Sequence, residues 1–342
     1  TAQCLLIVKY VADSRSQQQI ADQLSKSKRE KIALEPALRV KAHHILEMIT
    51  TGPVHKKDIV LSKGIDNTAC SVDIIMDHLT ESLLLVIHGI ERIQNVISTI
   101  TKPEDMIPSK LDSEENLFTF PAIDKVIVEL EKDEKVLECL EKYKFYRLNI
   151  GGYGYGGAVA SVFSCAVTLS SSRVGEIWKR KRKECQGFVF GSFPAVSWRK
   201  KCPDEDIRVS TFICAQDIVP LLTWEKFDSV VKFTQLLGKD LNASEQIGAL
   251  LSSEQLSEKI YEILNKHLHA LPGIVYPMKQ TYDGATHVGK ILQLDYIESE
   301  GHFACFPLNV VEAQCFPLYT GSGALVQHEI KSYHEATSKL ET

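Results

Sequence analysis

No two of the nine cysteines form a CxxC pair, and their number is odd. That argues against a disulfide framework and against a zinc site of the usual spacing. Reduced, mostly buried thiols in an intracellular compartment are expected instead. No stretch approaches 18 uninterrupted apolar residues, so no membrane-spanning helix is expected. Positive charge is not in excess: 39 Lys and Arg against 44 Asp and Glu leave a net charge of -5, which argues against bulk nucleic-acid binding. There is no internal repeat and no low-complexity tract. The start lacks Met, a basic leader and a clear cleavage pattern, and what precedes Thr1 is left open. The eleven histidines show no metal-ligand grouping. His43 and His44 are adjacent and point different ways on a helix, and His55, His78, His88, His267, His269, His287 and His302 read as structural. No metal and no cofactor is expected.

What is present is an ordinary globular composition, 44% hydrophobic and 24% charged over 342 residues. A chain of this size buries roughly 75% of its unfolded surface without staples. Two basic clusters, WKRKRKE at 178–184 and WRKK at 198–201, are either solvated faces or a contact for an anionic membrane surface or acidic partner.

Apolar residues at three- and four-residue spacing predict helices over about 14–51, before a break at Gly52-Pro53. CSVDIIMDHLTESLLLVIHGI predicts two strands joined by a polar turn at 77–82. The second is a continuous apolar run, as suits a strand buried on both faces. ERIQNVISTI predicts a short helix, and TKPEDMIPSKLDSEEN a loop. FPAIDKVIVELEKDEKVLECLEKY predicts one long amphipathic helix. YRLNI is a strand, followed by a glycine turn and the helix GAVASVFSCAVTLS; QGFVFGS, VSTFICA and GKILQLDYI are further strands. After Asp217, DSVVKFTQLLGKDL and SSEQLSEKIYEILNKHLHAL read as surface helices, and HEIKSYHEATSKL as a closing helix. Strands alternating with helices predict an α/β fold with a mostly parallel central sheet covered by helices.

The glycine turn, LNIGGYGYGGAVAS over 148–161, admits three readings. Gly152, Gly154 and Gly157 satisfy G-x-G-x-x-G, the pattern that holds a dinucleotide pyrophosphate at a helix start. That reading wants an acidic residue about 20 positions on at a strand tip, and Glu176 stands at that distance within a helical, basic stretch. The second reading is a nucleophile elbow, G-x-S-x-G, whose strained turn needs small flanks. Gly152, Gly156 and Gly157 supply them, but Gly154 stands where the serine belongs. The third is a tight turn in which glycines only relieve crowding.

The surroundings favour the elbow. The segment resembles that of the class 3 lipases, the family of fungal triacylglycerol lipases and sn-1-specific diacylglycerol lipases. Their pattern is a strand, G-H-S-L-G-G, then a small-residue helix. Tyr153 stands for the His, Gly154 for the nucleophilic Ser and Tyr155 for the Leu. LLLVIHGIERIQNVISTI is similar to the family's strand ending in R-G-T or R-G-S, with His88 for the Arg, then Gly89, then Ile90 for the Thr or Ser. GFVFGSFPAVS is similar to the strand after the elbow helix. FICAQDIVPLLTWEKFDSVV resembles the D-x-V-P-R turn of the catalytic acid, with Asp217, Val219 and Pro220 in register. ALVQHEIKSYHEA resembles the segment of the catalytic histidine: His328 precedes Tyr333 by five residues, Gln327 replaces the usual Asp, and His334 is a nearby competitor. The resemblance spans about 72–339, is strong over 83–223 and weak over 238–289.

The resemblance implies an α/β-hydrolase with a hydrolase core over 61–237, a helical insertion or lid over 238–289 and the rest of the core over 290–342, preceded by the N-terminal helical segment over 1–60 that periodicity predicts. It implies Asp217 and His328 as acid and base, Gly89, Ile90 and Tyr155 as the oxyanion-hole region, and Gly152, Tyr153, Gly156 and Gly157 as the elbow. Such chemistry needs a serine oxygen, a base, an orienting carboxylate and oxyanion donors. Glycine offers no oxygen, and Ile90 loses a hydroxyl. Ser161 and Ser164 lie roughly 10 to 15 Å down the helix, and the phenols of Tyr153 and Tyr155 are too long and too weakly acidic, with a pKa near 10. The expectation is an inactive pseudo-lipase related to acylglycerol metabolism. It would be cytoplasmic or peripheral at membranes through its basic clusters, and would bind a lipid, an acylglycerol-like ligand or a protein partner. Two alternatives stand beside it. One is an active carboxylic-ester hydrolase with a displaced nucleophile (Ser192, Cys165 or water); the other is a nucleotide-binding module using the turn from Gly152 to Gly157.

Overall fold

Five consecutive residues, Leu83 to Ile87, have no exposed surface, so the strand that carries them needs cover on both faces. This holds in the computed structural model of the chain, which describes residues 58–68, 70–77, 81–89, 105–112, 114, 116–169, 172–178, 185–199, 208–214, 217, 219–223, 232, 235, 266, 286–297, 302–308, 332–333 and 335–336. The helices expected over 14–51 and 91–100 lie outside these residues, as does nearly all of 224–285.

Eight strands form the main sheet: β1 (Ile59–Gly64), β2 (Ser71–Asp77), β3 (Ser82–His88), β6 (Arg147–Tyr153), β7 (Gln186–Phe190), β9 (Val209–Cys214), β10 (Lys290–Ile297) and β11 (His302–Leu308), in that spatial order. The inner five, β3-β6-β7-β9-β10, run parallel. The pairs β1–β2, β2–β3 and β10–β11 are antiparallel, so β2 and β11 run against the inner five and β1 runs with them. The central sheet is therefore mostly parallel. Three short strands, β4 (Ile107–Pro108), β5 (Leu117–Thr119) and β8 (Val196–Trp198), make a small antiparallel sheet.

The period-two alternation of β3 divides the core. Leu83, Leu85 and Ile87 face a cluster that includes the helices α1 (Pro121–Lys132), α2 (Glu134–Lys142) and α3 (Tyr155–Leu169). Leu84 and Val86 face a second cluster with Tyr153, Phe188, Phe190, Phe212 and Leu294, closed by Tyr333 and Ala336 at helical positions near the C-terminus. Phe190 and Phe212 stack across the β7–β9 pair at 4.8 Å.

Three expectations need correction. The single long helix over 120–143 is two helices, because Asp133 leaves the helical conformation and its carboxylate accepts from the backbone N–H of Lys135 and Val136. The segment read as loop over 101–116 contains β4, which pairs with β5. The strand before the glycine turn runs on through Gly151 and Gly152, which stay in register with Val86 and Ile87 on one side and Phe188 and Val189 on the other. β11, which the sequence reading did not mark, completes the sheet. Its Pro307 is tolerated because this strand lies at the edge of the described sheet. No described helix is long and apolar enough to cross a membrane.

Candidate functional site

The chain turns from β6 into α3 at a single residue, Gly154, with φ +56°. Its N–H donates to the carbonyl of Phe190 at 2.9 Å, and its own carbonyl accepts from Ala158 N–H at 3.0 Å. It is thus both the last tie to β7 and the first acceptor of the helix. The left-handed φ costs glycine little and an L-residue about 1–2 kcal/mol.

The flanking glycines answer to crowding. A Cβ on Gly152 would meet the carbonyl oxygen of Gly156 at 2.3 Å, and a Cβ on Gly156 would meet that of Ile87 at 2.2 Å. One on Gly89, just past the end of β3, would sit 2.3 Å from Gly156 N. The ends of β3 and β6 and the first turn of α3 therefore pack backbone to backbone, as a tight strand-to-helix turn demands. Gly157 is less constrained, with Ser192 Cβ at 3.1 Å from the added atom.

Tyr153 is buried in the cluster on one face of the sheet, edge-on to Tyr333 with ring centroids 5.7 Å apart. Tyr155 is buried on the opposite face against Phe193, at 6.2 Å. The nearby hydroxyls are occupied. Ser161 donates to the carbonyl of Ala158 at 2.8 Å and Ser164 to that of Ala160 at 2.7 Å. Ser192 is buried and donates to the carbonyl of Phe193 at 2.9 Å. Cys165 is buried within α3.

Asp217 follows β9 and is fully buried. Its Oδ2 accepts from the Tyr333 hydroxyl at 2.5 Å, and its Oδ1 accepts from Val219 N–H at 2.9 Å, closing the turn before a short 3₁₀ segment, Val219–Leu221. The same Tyr333 oxygen accepts from Cys214 N–H at 3.0 Å. Gly191, at φ +55°, leaves room for this group: a Cβ there would lie 3.1 Å from Tyr153 Cε2, 3.2 Å from Asp217 Oδ2 and 3.2 Å from Tyr333 Cε2. Burial, with the Asp217 charge beside it, pushes the Tyr333 phenol well above its ordinary value, so it remains a donor. Burial and the same charge push the Cys214 thiol up to about 12, so it is a poor source of thiolate.

The structure brings together Tyr153, Asp217 and Tyr333 under the turn, and Gly89, Gly152, Tyr155, Gly156 and Gly157 around it. His328 and Ile90 lie outside the described residues. His88, at the end of β3, bonds through Nε2 to Asp73 Oδ2 at 2.6 Å, across to β2. His287 is tied through Nε2 to the carbonyl of Pro220 at 2.7 Å. Sequence reasoning missed Asp73 and Gly191. Asp73 had a weak signal, a charge inside the apolar strand SVDIIMD; the glycine of VFGSF had none beyond a generic turn. Among the described residues, no group of three His, Cys, Asp or Glu could hold a metal ion.

No protein-family model and no curated protein matches the sequence. Among solved structures, the chain is similar to the Rhizomucor miehei lipase in its propeptide complex. The identity is 11% and the TM-score 0.45, over 81% of this chain and 66% of that one. It is also similar to a lipase from Rhizopus microsporus var. chinensis, at 13% identity and TM-score 0.43 over 66% of this chain and 71% of that one. The Lip2 lipase from Yarrowia lipolytica follows at 15% identity and TM-score 0.35, over 45% of this chain and 57% of that one. Likenesses this distant say nothing of the site's chemistry.

Proposed function

We propose that the chain is an α/β-hydrolase of the class 3 lipase kind that has lost ester hydrolysis. It would act by binding an acylglycerol-like lipid or a protein partner, in the cytoplasm or at a membrane surface reached through its basic clusters. One observation carries this reading: the residue at the bend between β6 and α3, where such a fold presents its nucleophile, is Gly154 at φ +56°. The buried Asp217 then corresponds to the acid, and His328 to the base, with no oxygen for them to activate. Gly89, Ile90 and the Tyr155 N–H correspond to the oxyanion region.

Magnitudes favour inactivity. Loss of one oxyanion donor costs about 2.7–4 kcal/mol, whereas loss of the nucleophile costs about 10⁶-fold in rate. The buried hydroxyls of Ser161, Ser164 and Ser192 are each bonded to a backbone carbonyl, which disfavours a displaced nucleophile among them.

The test measures two quantities on the purified chain: fatty-acid release from diacylglycerol-containing vesicles, and co-sedimentation with the same vesicles. The expected result is association without release above buffer. Steady release that disappears in His328→Ala would overturn the proposal in favour of an active hydrolase. Absence of both release and association would leave the protein-partner form of the proposal.

A further inference from the structure

The group under the glycine turn has a second meaning, independent of whether any turnover remains. Asp217 and Tyr333 are 116 positions apart in sequence, both fully buried, and joined by a 2.5 Å hydrogen bond. The Tyr333 hydroxyl also takes the Cys214 N–H at 3.0 Å. A single oxygen therefore holds the end of β9, the turn after it and the C-terminal helical residues together. The ring of Tyr333 packs edge-on to Tyr153 at 5.7 Å and to Phe190 at 6.4 Å. Three neighbouring strand ends, of β6, β7 and β9, are thus bound to one side chain near the C-terminus.

From this geometry we infer that Asp217, Tyr333 and the Cys214 N–H form a buried latch that docks the helical residues 332–333 and 335–336 onto the sheet. Asp217 is then a structural residue in its own right, not a remnant. A charge at zero exposure has no water to fall back on, so removing the donor to Oδ2 costs stability even with Val219 N–H still on Oδ1. The phenol cannot escape by ionising, since its proton is held by burial and by the neighbouring charge. The latch also bears on activity assays: loss of turnover on replacing Asp217 would report a loosened fold as readily as a missing catalytic acid.

A double-mutant cycle tests it. Tyr333→Phe keeps the ring and removes only the hydroxyl; Asp217→Asn keeps the shape and removes the charge. Each is expected to raise the unfolding equilibrium constant about tenfold or more. The double variant is expected to exceed the worse single by no more than about threefold, because the side-chain amide has one acceptor oxygen for two donors and both changes weaken the same Tyr333–Asp217 bond. Amide exchange supplies a local reading. In Tyr333→Phe, the Cys214 amide should exchange at least tenfold faster, and by a larger factor than the amides of β3, which follow global unfolding. Effects that multiply in the cycle, or a Cys214 amide exchanging at the wild-type rate in Tyr333→Phe, would overturn the latch. If Asp217→Asn does not fold, the exchange result alone decides.

Discussion

A Cβ placed on Gly156 would lie 2.2 Å from the Ile87 carbonyl oxygen and 2.8 Å from Gly89 N. Both are backbone atoms that cannot rotate away. Gly156→Ala should therefore lower stability by about 3 kcal/mol or more, at the upper end of what overpacking costs. Gly64 offers the control, with nothing within 4 Å of its added Cβ; Gly64→Ala should stay within about 0.5 kcal/mol. Urea denaturation of both variants checks the contrast, and equal losses would remove the packing argument. The turn's glycines were legible because their spacing follows a strand and precedes a small-residue helix. The Tyr333–Asp217 bond was not legible: nothing local in HEIKSYHEA states which buried carboxylate its tyrosine will meet. Only the fold brings positions that far apart into contact.

At the scale of elements, the break between α1 and α2 shows what periodicity conceals. PAIDKVIVELEK and EKVLECLEK are both amphipathic, so the apolar stripe reads on through the join. The signal was Asp133 itself, a residue that favours helix starts. It caps α2 and is also paired with Lys63 of β1. Burial opposes its ionisation, but the Lys63 hydrogen bond and the N–H donors of Val136 and Lys135 outweigh that and hold its carboxyl below the usual aspartate value. Lys63 is correspondingly raised, chiefly by its hydrogen bond to Asp133. The sign follows from linkage. A lowered carboxyl contributes stability that is present above the ordinary value of about 3.9 and lost as pH falls through the folded value beneath it. The raised lysine contributes stability that is present below about 10.4 and lost as pH rises through its folded value. Asp133→Ala should cost about 1–2 kcal/mol at neutral pH and less as the acid limb is descended. A constant cost across that limb, in denaturation curves at stepped pH, would contradict the assignment. β11 escaped the sequence reading for a related reason. HFACFPL lacks a clean alternation and contains a proline, and it is a strand because β10 offers it an edge.

Over the whole molecule, the alternation of strand and helix signals was enough to read a mostly parallel sheet, and the observed order keeps five parallel strands at its centre. The C-terminal ends of those strands gather the glycine turn after β6, Gly191 after β7 and Asp217 after β9 into one neighbourhood. The central claim is that this scaffold presents glycine where ester chemistry needs an oxygen. The most direct measurement is labelling of the purified chain with a fluorophosphonate, followed by peptide mapping. No adduct is expected on any residue of 147–169 or on Ser192, at reagent concentrations that fully label an active serine hydrolase. A stoichiometric adduct on Ser161, Ser164 or Ser192, abolished by His328→Ala, would contradict it.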